Sequence, residues 1–509
     1  MQTLRSYLSS EWVAGTGDGA TLSDPTSGAA TATVSSSGLD LGAALRHARE
    51  VGGPALRAAT FAERAAWLDA MSKAIHANRD DLIEVSRTSG GTTRGDAKFD
   101  IDGASGTLAY YAALGKKLGD ARILLDGEPE PVLRSKRFAG QHVGVPRHGV
   151  AVHINAFNFP AWGMAEKAAV ALLAGVPVLA KPGTATCALS VRIAELWVDL
   201  GVLPKGAFSL LAGSAGDLLD HVGPQDCVAF TGSSDTARAI RSHAAVVRHN
   251  VRLNIEADSL NASVLGPDVE PGTDTFEMFV NDVARDLLQK AGQKCTAVRR
   301  VFVPEARADE VVAALAERLG RAVVGDPGEK GTDVGPVSSP AQQKSVRAGL
   351  EALSNVAEVA WRAEAPAGGC FVPPSLFRVR PGADASYVHE HEVFGPVATV
   401  LPWPGDAAGA VAAVARGGGG LVASVYSDDP DWSGEVVLGL APWHGRIHWG
   451  SRKVHDQSPG PGTVLPNLVH GGPGKAGGGE ELGGPRALWF YLQRTAIQGD
   501  RALLERVLR

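Results

Sequence analysis

Between residues 149 and 258, short apolar runs alternate with longer stretches in which apolar side chains recur every three or four positions. GVAVHI, VPVLAKP, AFSLLAG, CVAFTGS and VRLNIEAD are too short for helices and predict strands. AWGMAEKAAVALLAG, ALSVRIAELWVDLG and SDTARAIRSHA carry the helical period, and SAGDLLDHV predicts a short helix. This alternation predicts a parallel sheet covered by helices on both faces, an α/β fold. Ligands of such sheets sit at the carboxyl ends of the strands.

The flanking regions read differently. Residues 1–60 look irregular and turn-rich, while 62–88 and 104–118 show helical spacing. ILLDGEPEPVLRSKRFAGQHVGVPRHG, residues 123–149, predicts extended strands leaving the main body. A second α/β stretch begins near residue 275. FEMFVNDVARDLLQKAG predicts an amphipathic helix with Phe276, Phe279, Val280, Val283 and Leu287 on one face. RRVFVP predicts a strand and 309–323 a further helix. HGGPGKAGGGEELGG, 470–484, has by composition alone the character of a flexible linker. PRALWFYLQRTAIQ, near 486–498, alternates and is aromatic, as a strand that adds to a neighbour's sheet would be.

With 509 residues the chain exceeds one ordinary core, so two or more domains are expected. Apolar content of 44% fits a soluble globular protein, and a net charge of -6 gives no reason to expect nucleic acid or an anionic membrane as partner. Cys187, Cys227, Cys295 and Cys370 lie far apart and show no CxxC spacing, which argues for a reducing compartment and against a cysteine zinc site. The N-terminus lacks the apolar core of a signal peptide. The most apolar stretch, 167–181, is too short to span a bilayer. A cytoplasmic enzyme without membrane contact is the expectation.

Several residues could carry chemistry. A lone cysteine is usually a small buried residue, and Cys295 could be one. Yet Gln293 and Lys294 beside it are odd for a core position, and a nearby cation lowers a thiol pKa. Glu256 ends the strand VRLNIEAD, where a carboxylate is either a solvated or capping acid or a base facing the ligand crevice. A thiol and a carboxylate together suit covalent catalysis: the thiolate attacks and the carboxylate activates water. Asn158, in INAFNFP, is either a turn asparagine or an amide donor to an oxyanion. Lys181 closes VPVLAKP, and FTGS joins a strand to a helix. Both suit a dinucleotide crossing the strand ends, although no GxGxxG follows any strand. Glu392, in HEVFGPV, is a third acid in a turn. His153, His389, His391 and His470 show no metal-ligand spacing, so no metal site is read.

FNFP, KP, FTGS, a strand ending in Glu, GQKC and EVFGPV, in that order, resemble the aldehyde dehydrogenase superfamily over most of the chain. The resemblance implies a Rossmann-type cofactor domain (1–122 and 149–258), an α/β catalytic domain (259–470), and a β oligomerisation arm with tail (123–148 and 471–509). It implies that Cys295 is the nucleophile, that Asn158 and the Cys295 backbone N–H hold the oxyanion, and that Glu256 activates water. On the cofactor side it implies Lys181 at the adenosine ribose, Gly232 and Ser233 under the pyrophosphate, Glu392 at the nicotinamide ribose, and Phe230 and Phe394 in the adjoining motifs. The glycine-rich 470–484 segment then becomes a folded loop near the active site.

There are departures from the family's pattern. KPGT stands where members often have KPSE, so Thr184 replaces an acid that would repel a 2′-phosphate; this favours NADP, with NAD as the alternative. EADSLN and GQKC replace the commoner ELGGK and GQCC. These variants resemble the branch that oxidises CoA-linked semialdehydes in aerobic aromatic degradation. The first expectation is the eight-carbon 3-oxo-5,6-didehydrosuberyl-CoA semialdehyde of phenylacetate degradation. The alternative is the six-carbon 3,4-didehydroadipyl-CoA semialdehyde of benzoyl-CoA degradation. A hydratase domain that accompanies the first activity is not expected here. The family also implies a homodimer or larger homo-oligomer. A CoA-acylating enzyme would need no general base, so Glu256 argues against it; a non-catalytic use of the fold predicts no turnover.

Overall fold

The computed structural model describes residues 1–380 and 382–508. Two seven-stranded sheets carry the molecule. In the first, the order is Arg252–Glu256, Cys227–Thr231, Ala151–Ile154, Val178–Lys181, Phe208–Leu210, Ser6–Leu8 and Glu11–Val13. The first five strands are parallel, and Leu210 meets Tyr7 antiparallel. These strands are buried on both faces, which is why they read as continuous apolar runs rather than alternating ones. The helix Trp162–Ala174 is buried on almost every side, packed between its sheet and the long helices Phe61–Ala77 and Arg94–Leu118.

The second sheet runs Ala357–Arg362, Ser375–Val379, Val397–Trp403, Arg300–Pro304, Ala262–Leu265, Gly420–Tyr426 and His444–Gly450. All neighbours are parallel except the first pair. The helix Asp274–Leu288 packs on it and buries Phe276, Phe279, Val280, Val283 and Leu287. A separate antiparallel sheet joins Leu124–Pro131, Phe138–Pro146 and Leu492–Asp500, so a tail strand pairs with an excursion some 350 residues earlier, Leu492 lying opposite Pro146. Together these layers make the α/β architecture of two parallel sheets and a β arm.

Some local readings differ from the structure. Residues 1–60 are not irregular: they hold five short strands and two short α-helices, Leu41–His47 and Gly53–Ala58. None of those strands is long enough to show a period. The stretch 62–88 is two helices. A Thr60–Glu63 capping box starts the first, and Asn78 (φ -107°, ψ 19°) breaks it before Arg79–Gly90. The helix Arg94–Leu118 begins ten residues earlier than its apolar period, because Thr93 caps it at a polar, glycine-bearing start. At the other end, 488–491 is a helical turn and the strand begins at Leu492.

Candidate active site

Parallel register places four strand ends side by side. Thr231 pairs with Glu256, Phe230 with Ile154, and Ile154 with Lys181. Beyond those ends lie the INAFNFP loop, the FTGS turn, Lys181 with Thr184, and Glu256. The fold thus brings residues 158, 181, 232 and 256 to one edge of one sheet.

Cys295 arrives from the other sheet. The helix Asp274–Leu288 stops, Lys290 and Ala291 take left-handed backbone (φ 55° and 50°), and Gly292 follows at φ 67°. A Cβ on Gly292 would lie 2.1 Å from the carbonyl oxygen of Gly395, so glycine is required for this loop to pass the EVFGPV turn. Arg299 ties the two loops together. Its guanidinium donates to the Glu392 carboxylate (3.1 Å) and to the carbonyls of Gly395, Gly292 and Lys294 (2.9, 2.9 and 3.2 Å). Asn261 holds the backbone at Cys295, its amide donating to the carbonyls of Cys295 (2.7 Å) and Ala297 (2.9 Å).

The cavity at this junction, about 500 Å³, is lined by Cys295, Glu256, Asn158, Lys167 and His470, with Phe99, Phe159 and Trp162 as an apolar wall. The three rings meet edge to face at 5.4–6.0 Å. The Asn158 amide donates to the Gln293 carbonyl at 3.1 Å, which aims it beside Cys295. Sγ of Cys295 lies 3.8 Å from Nε2 of His470, and that nitrogen is 2.9 Å from Oε2 of Glu256. The three donor atoms lie within 4.8 Å of one another. Motif spacing revealed no such meeting, because the three residues come from three separate segments.

The electrostatics correct one expectation. Lys294 does not lower the thiol pKa: it is buried the other way, its ammonium on Asp286 (2.6 Å) and the side-chain amide oxygen of Gln289 (2.9 Å). Burial, then the Glu256 carboxylate, pushes the Cys295 thiol well above its ordinary range. Burial would also raise Glu256, but His470, then Lys167, hold it down at about 2. Burial alone would lower His470, and Glu256 raises it. Lys167 pairs with Glu481 (3.0 Å) and Glu166 (3.2 Å); burial pushes Glu166 up to about 7 against the pull of Lys167.

The glycine-rich segment brings in His470. Val469–Gly471 and Glu480–Leu482 form a small antiparallel hairpin. Its loop lies flat on the strand carrying Glu256: Gly479 N–H donates to the Ile255 carbonyl (3.0 Å) and Ala257 N–H to that of Ala476 (2.9 Å). A Cβ on Gly479 would sit 2.5 Å from the Ile255 oxygen, so the glycine density reflects close backbone approach rather than flexibility.

The remaining residues face the strand ends. A Cβ on Gly232 would lie 2.6 Å from the Phe230 ring, so that turn presents bare backbone; the ring itself is buried beneath it. Ser233 caps the helix Ser234–Arg241 by accepting from Thr236 N–H (3.3 Å), and Asp258 accepts from Ser234 N–H (3.3 Å). Lys181 Nζ reaches only the Thr184 hydroxyl, at 3.4 Å, and joins no ion pair among the described residues. Thr184 donates to the Gly213 carbonyl (3.0 Å). Phe394 meets Phe157 edge to face at 5.9 Å and carries Arg299 over its ring at 5.3 Å. An ammonium without a carboxylate partner, beside an exposed glycine turn at strand ends, is a donor set that fits a dinucleotide.

A half-buried thiol with an acid and an amide donor beside it, next to a glycine turn and the Lys181 ammonium at strand ends, is an arrangement that suits an oxidoreductase working through a thiol. The chain matches the aldehyde dehydrogenase family over residues 12–497 and belongs to it. Its activity is that of an NAD(P)-dependent aldehyde dehydrogenase. It is 46% identical over 478 residues to a 3,4-dehydroadipyl-CoA semialdehyde dehydrogenase of Aromatoleum evansii, covering 92% of this chain and 93% of that one. In fold it is similar to lactaldehyde dehydrogenase from Escherichia coli (TM-score 0.85, 22% identity, 98% and 99% of the two chains). It is equally similar to a betaine aldehyde dehydrogenase variant from Staphylococcus aureus solved with NAD+ (TM-score 0.84, 23% identity, 98% of each chain). No helix among the described residues is long and apolar enough to cross a membrane.

Sequence reading singled out Cys295, Glu256 and Asn158 but missed His470, Arg299 and Asn261. Only glycines flanking His470, which signal close packing, pointed in its direction.

Proposed function

We propose that this enzyme oxidises a CoA-linked semialdehyde of the 3,4-didehydroadipyl type to its carboxylate, using NADP. The observation that carries the substrate is the identity of 46% along 92% of the chain to a dehydrogenase of that name. The eight-carbon semialdehyde of phenylacetate degradation is the second reading, supported by EADSLN and HGGPGKAGGGEELGG.

Cys295 adds through sulfur to the aldehyde carbon and forms a thiohemiacetal. Asn158 and the Cys295 backbone N–H donate to the resulting oxyanion. Lys181, Thr184, Gly232, Ser233, Glu392 and Phe394 would hold a nicotinamide dinucleotide, which would supply the hydride acceptor. Hydride loss leaves a thioester on Cys295. Glu256 then takes a proton from water, the hydroxide adds to the thioester carbon, and the C–S bond breaks to give the carboxylic acid and the free thiolate. The NADP preference is supported by Thr184, a neutral group where an acid would repel a 2′-phosphate. The division of labour follows the sheets: 1–122 with 149–258 for the cofactor, 259–470 for catalysis. The arm strands 123–148 and the tail of 471–509 associate subunits into a homodimer or larger homo-oligomer. A cytoplasmic setting fits four free cysteines.

The test is nicotinamide reduction by the purified protein with 3,4-didehydroadipyl-CoA semialdehyde, NADP and NAD in parallel, and no added CoA. The expected result is turnover with NADP that vanishes in Cys295→Ala. In Glu256→Gln the hydride burst should survive while steady-state turnover falls by a factor of about 100 or more. An unchanged steady state there would remove Glu256 from deacylation. Faster turnover of the eight-carbon substrate would reverse the order of the two readings.

A further inference from the structure

The cavity contains an imbalance of charge that the reaction as written does not resolve. Forming the Cys295 thiolate sets a second anion within 4.8 Å of the Glu256 carboxylate, in a buried site. Two such anions exclude one another unless a cation stands between them. The nearby cations differ in what they already hold. Lys167 is shared by two carboxylates, Glu481 at 3.0 Å and Glu166 at 3.2 Å. Arg446 donates to the backbone carbonyls of Thr463 and Pro461. Lys294 is spent on Asp286. His470 alone reaches both reacting groups, 2.9 Å from Glu256 and 3.8 Å from the sulfur.

We propose that His470 is the shared counter-charge of the site: its imidazolium keeps Glu256 an aimed carboxylate and lets the Cys295 thiolate form beside it. The inference rests on Cys295 being the nucleophile and adds a role for a third residue. In the resting site the thiol is neutral, Glu256 is a carboxylate and His470 is protonated. The thiol then gives its proton to solvent, the sulfur keeps the electron pair, and the imidazolium bridges sulfur and carboxylate. The groups facing His470 are Glu256, Cys295 and Glu166 as acids and Arg446 as a further cation. Of these Glu256 and Glu166 favour the imidazolium, while burial and Arg446 oppose it. The hairpin pairing of His470 with Glu481 fixes where the ring stands.

The test uses iodoacetamide on the whole protein, without cofactor or substrate, with the modified cysteine identified by peptide mass. In this reaction the thiolate displaces iodide, so the rate against pH reports the thiol's ionisation. Glu256→Gln removes the anion that competes with the thiolate, so the Cys295 proton passes to His470 and the resulting thiolate–imidazolium pair should speed alkylation of Cys295 at pH 7 by about tenfold. Adding His470→Phe to that background should cancel the gain. Identical profiles for Glu256→Gln and the double variant would overturn the proposal. A second measurement guards against misfolding: in His470→Gln, close in size to the native residue, the acid limb of kcat should move up towards neutral pH as Glu256 loses its partner. An acid limb that stays in place would also overturn it. Turnover by Cys295→Ala would instead strike the nucleophile itself, a result the alkylation series distinguishes.

Discussion

The Cys295 loop, 289–299, and the glycine-rich segment, 470–484, meet in one cavity and are held there by different means. The first is held by side chains: Lys294 on Asp286, Arg299 on Glu392 and three carbonyls, Asn261 on two more. The second is held along its glycines by backbone, with Gly479 on Ile255 and Ala476 on Ala257, and by side chains at its flanks, where Asn254 and Lys167 meet Glu481 and His470 meets Glu256. At Gly477 and Gly479 an added Cβ would lie 2.3 and 2.5 Å from the Ile255 oxygen. The first region is positioned mainly by side chains, with Gly292 as a required glycine; the second is positioned mainly by close backbone approach at its glycines. Deleting a side chain should therefore damage the first, and adding a methyl group the second.

The largest effect is expected from Arg299→Ala. It leaves the buried Glu392 carboxylate without its partner and frees three carbonyls, which should cost about 3–5 kcal/mol in denaturant unfolding. A loss near zero would mean that the loop is held by other contacts. Next comes Gly479→Ala, whose methyl group would meet Ile255 and Asn254; about 1–3 kcal/mol should be lost, together with turnover, because the strand end carrying Glu256 must shift. Gly478→Ala is the matched control. Gly478 has open space around it and φ 72°, so alanine there should cost only the left-handed backbone, about 1 kcal/mol, and spare activity. Equal losses at 478 and 479 would break the argument from close approach.

The smallest effect concerns the ion pair of His470 and Glu256, which joins the glycine-rich segment to the strand end. Glu256 is depressed from 4.5 to about 2, so its contribution to stability is present above pH 4.5 and lost as pH falls towards 2. His470 is raised from 6.5, so its contribution is present below pH 6.5 and lost as pH rises through the folded value. The difference in melting temperature between the native protein and His470→Gln should accordingly be greatest between pH 4.5 and 6.5. A difference that does not vary with pH would show that the pair is not ionised in the fold.

The core of the site was legible because its carriers are local. Glu256 is the last residue of an apolar run, Asn158 and Lys181 follow others, and parallel strands bring such ends together. The five N-terminal strands were not legible, since three to five residues cannot display a period. Lys294 misled for a related reason: adjacency in sequence does not say on which side of the backbone a charge is spent. His470 lies 175 residues from Cys295, and no local signal records that pairing.

By itself the amino-acid order determined the alternation of strands and helices and the strand-end placement of Glu256, Lys181 and Gly232, because each follows from period within a few residues; the need for glycine at Gly292 and Gly479 comes from Gly395 and Ile255, which only the fold brings near. Tertiary structure alone decided which charges share a cavity. The thiol, the carboxylate and the imidazole belong to three segments, and their ionisation is set by distances of 2.9 and 3.8 Å and by exclusion of water, quantities that exist only once the two sheets have packed.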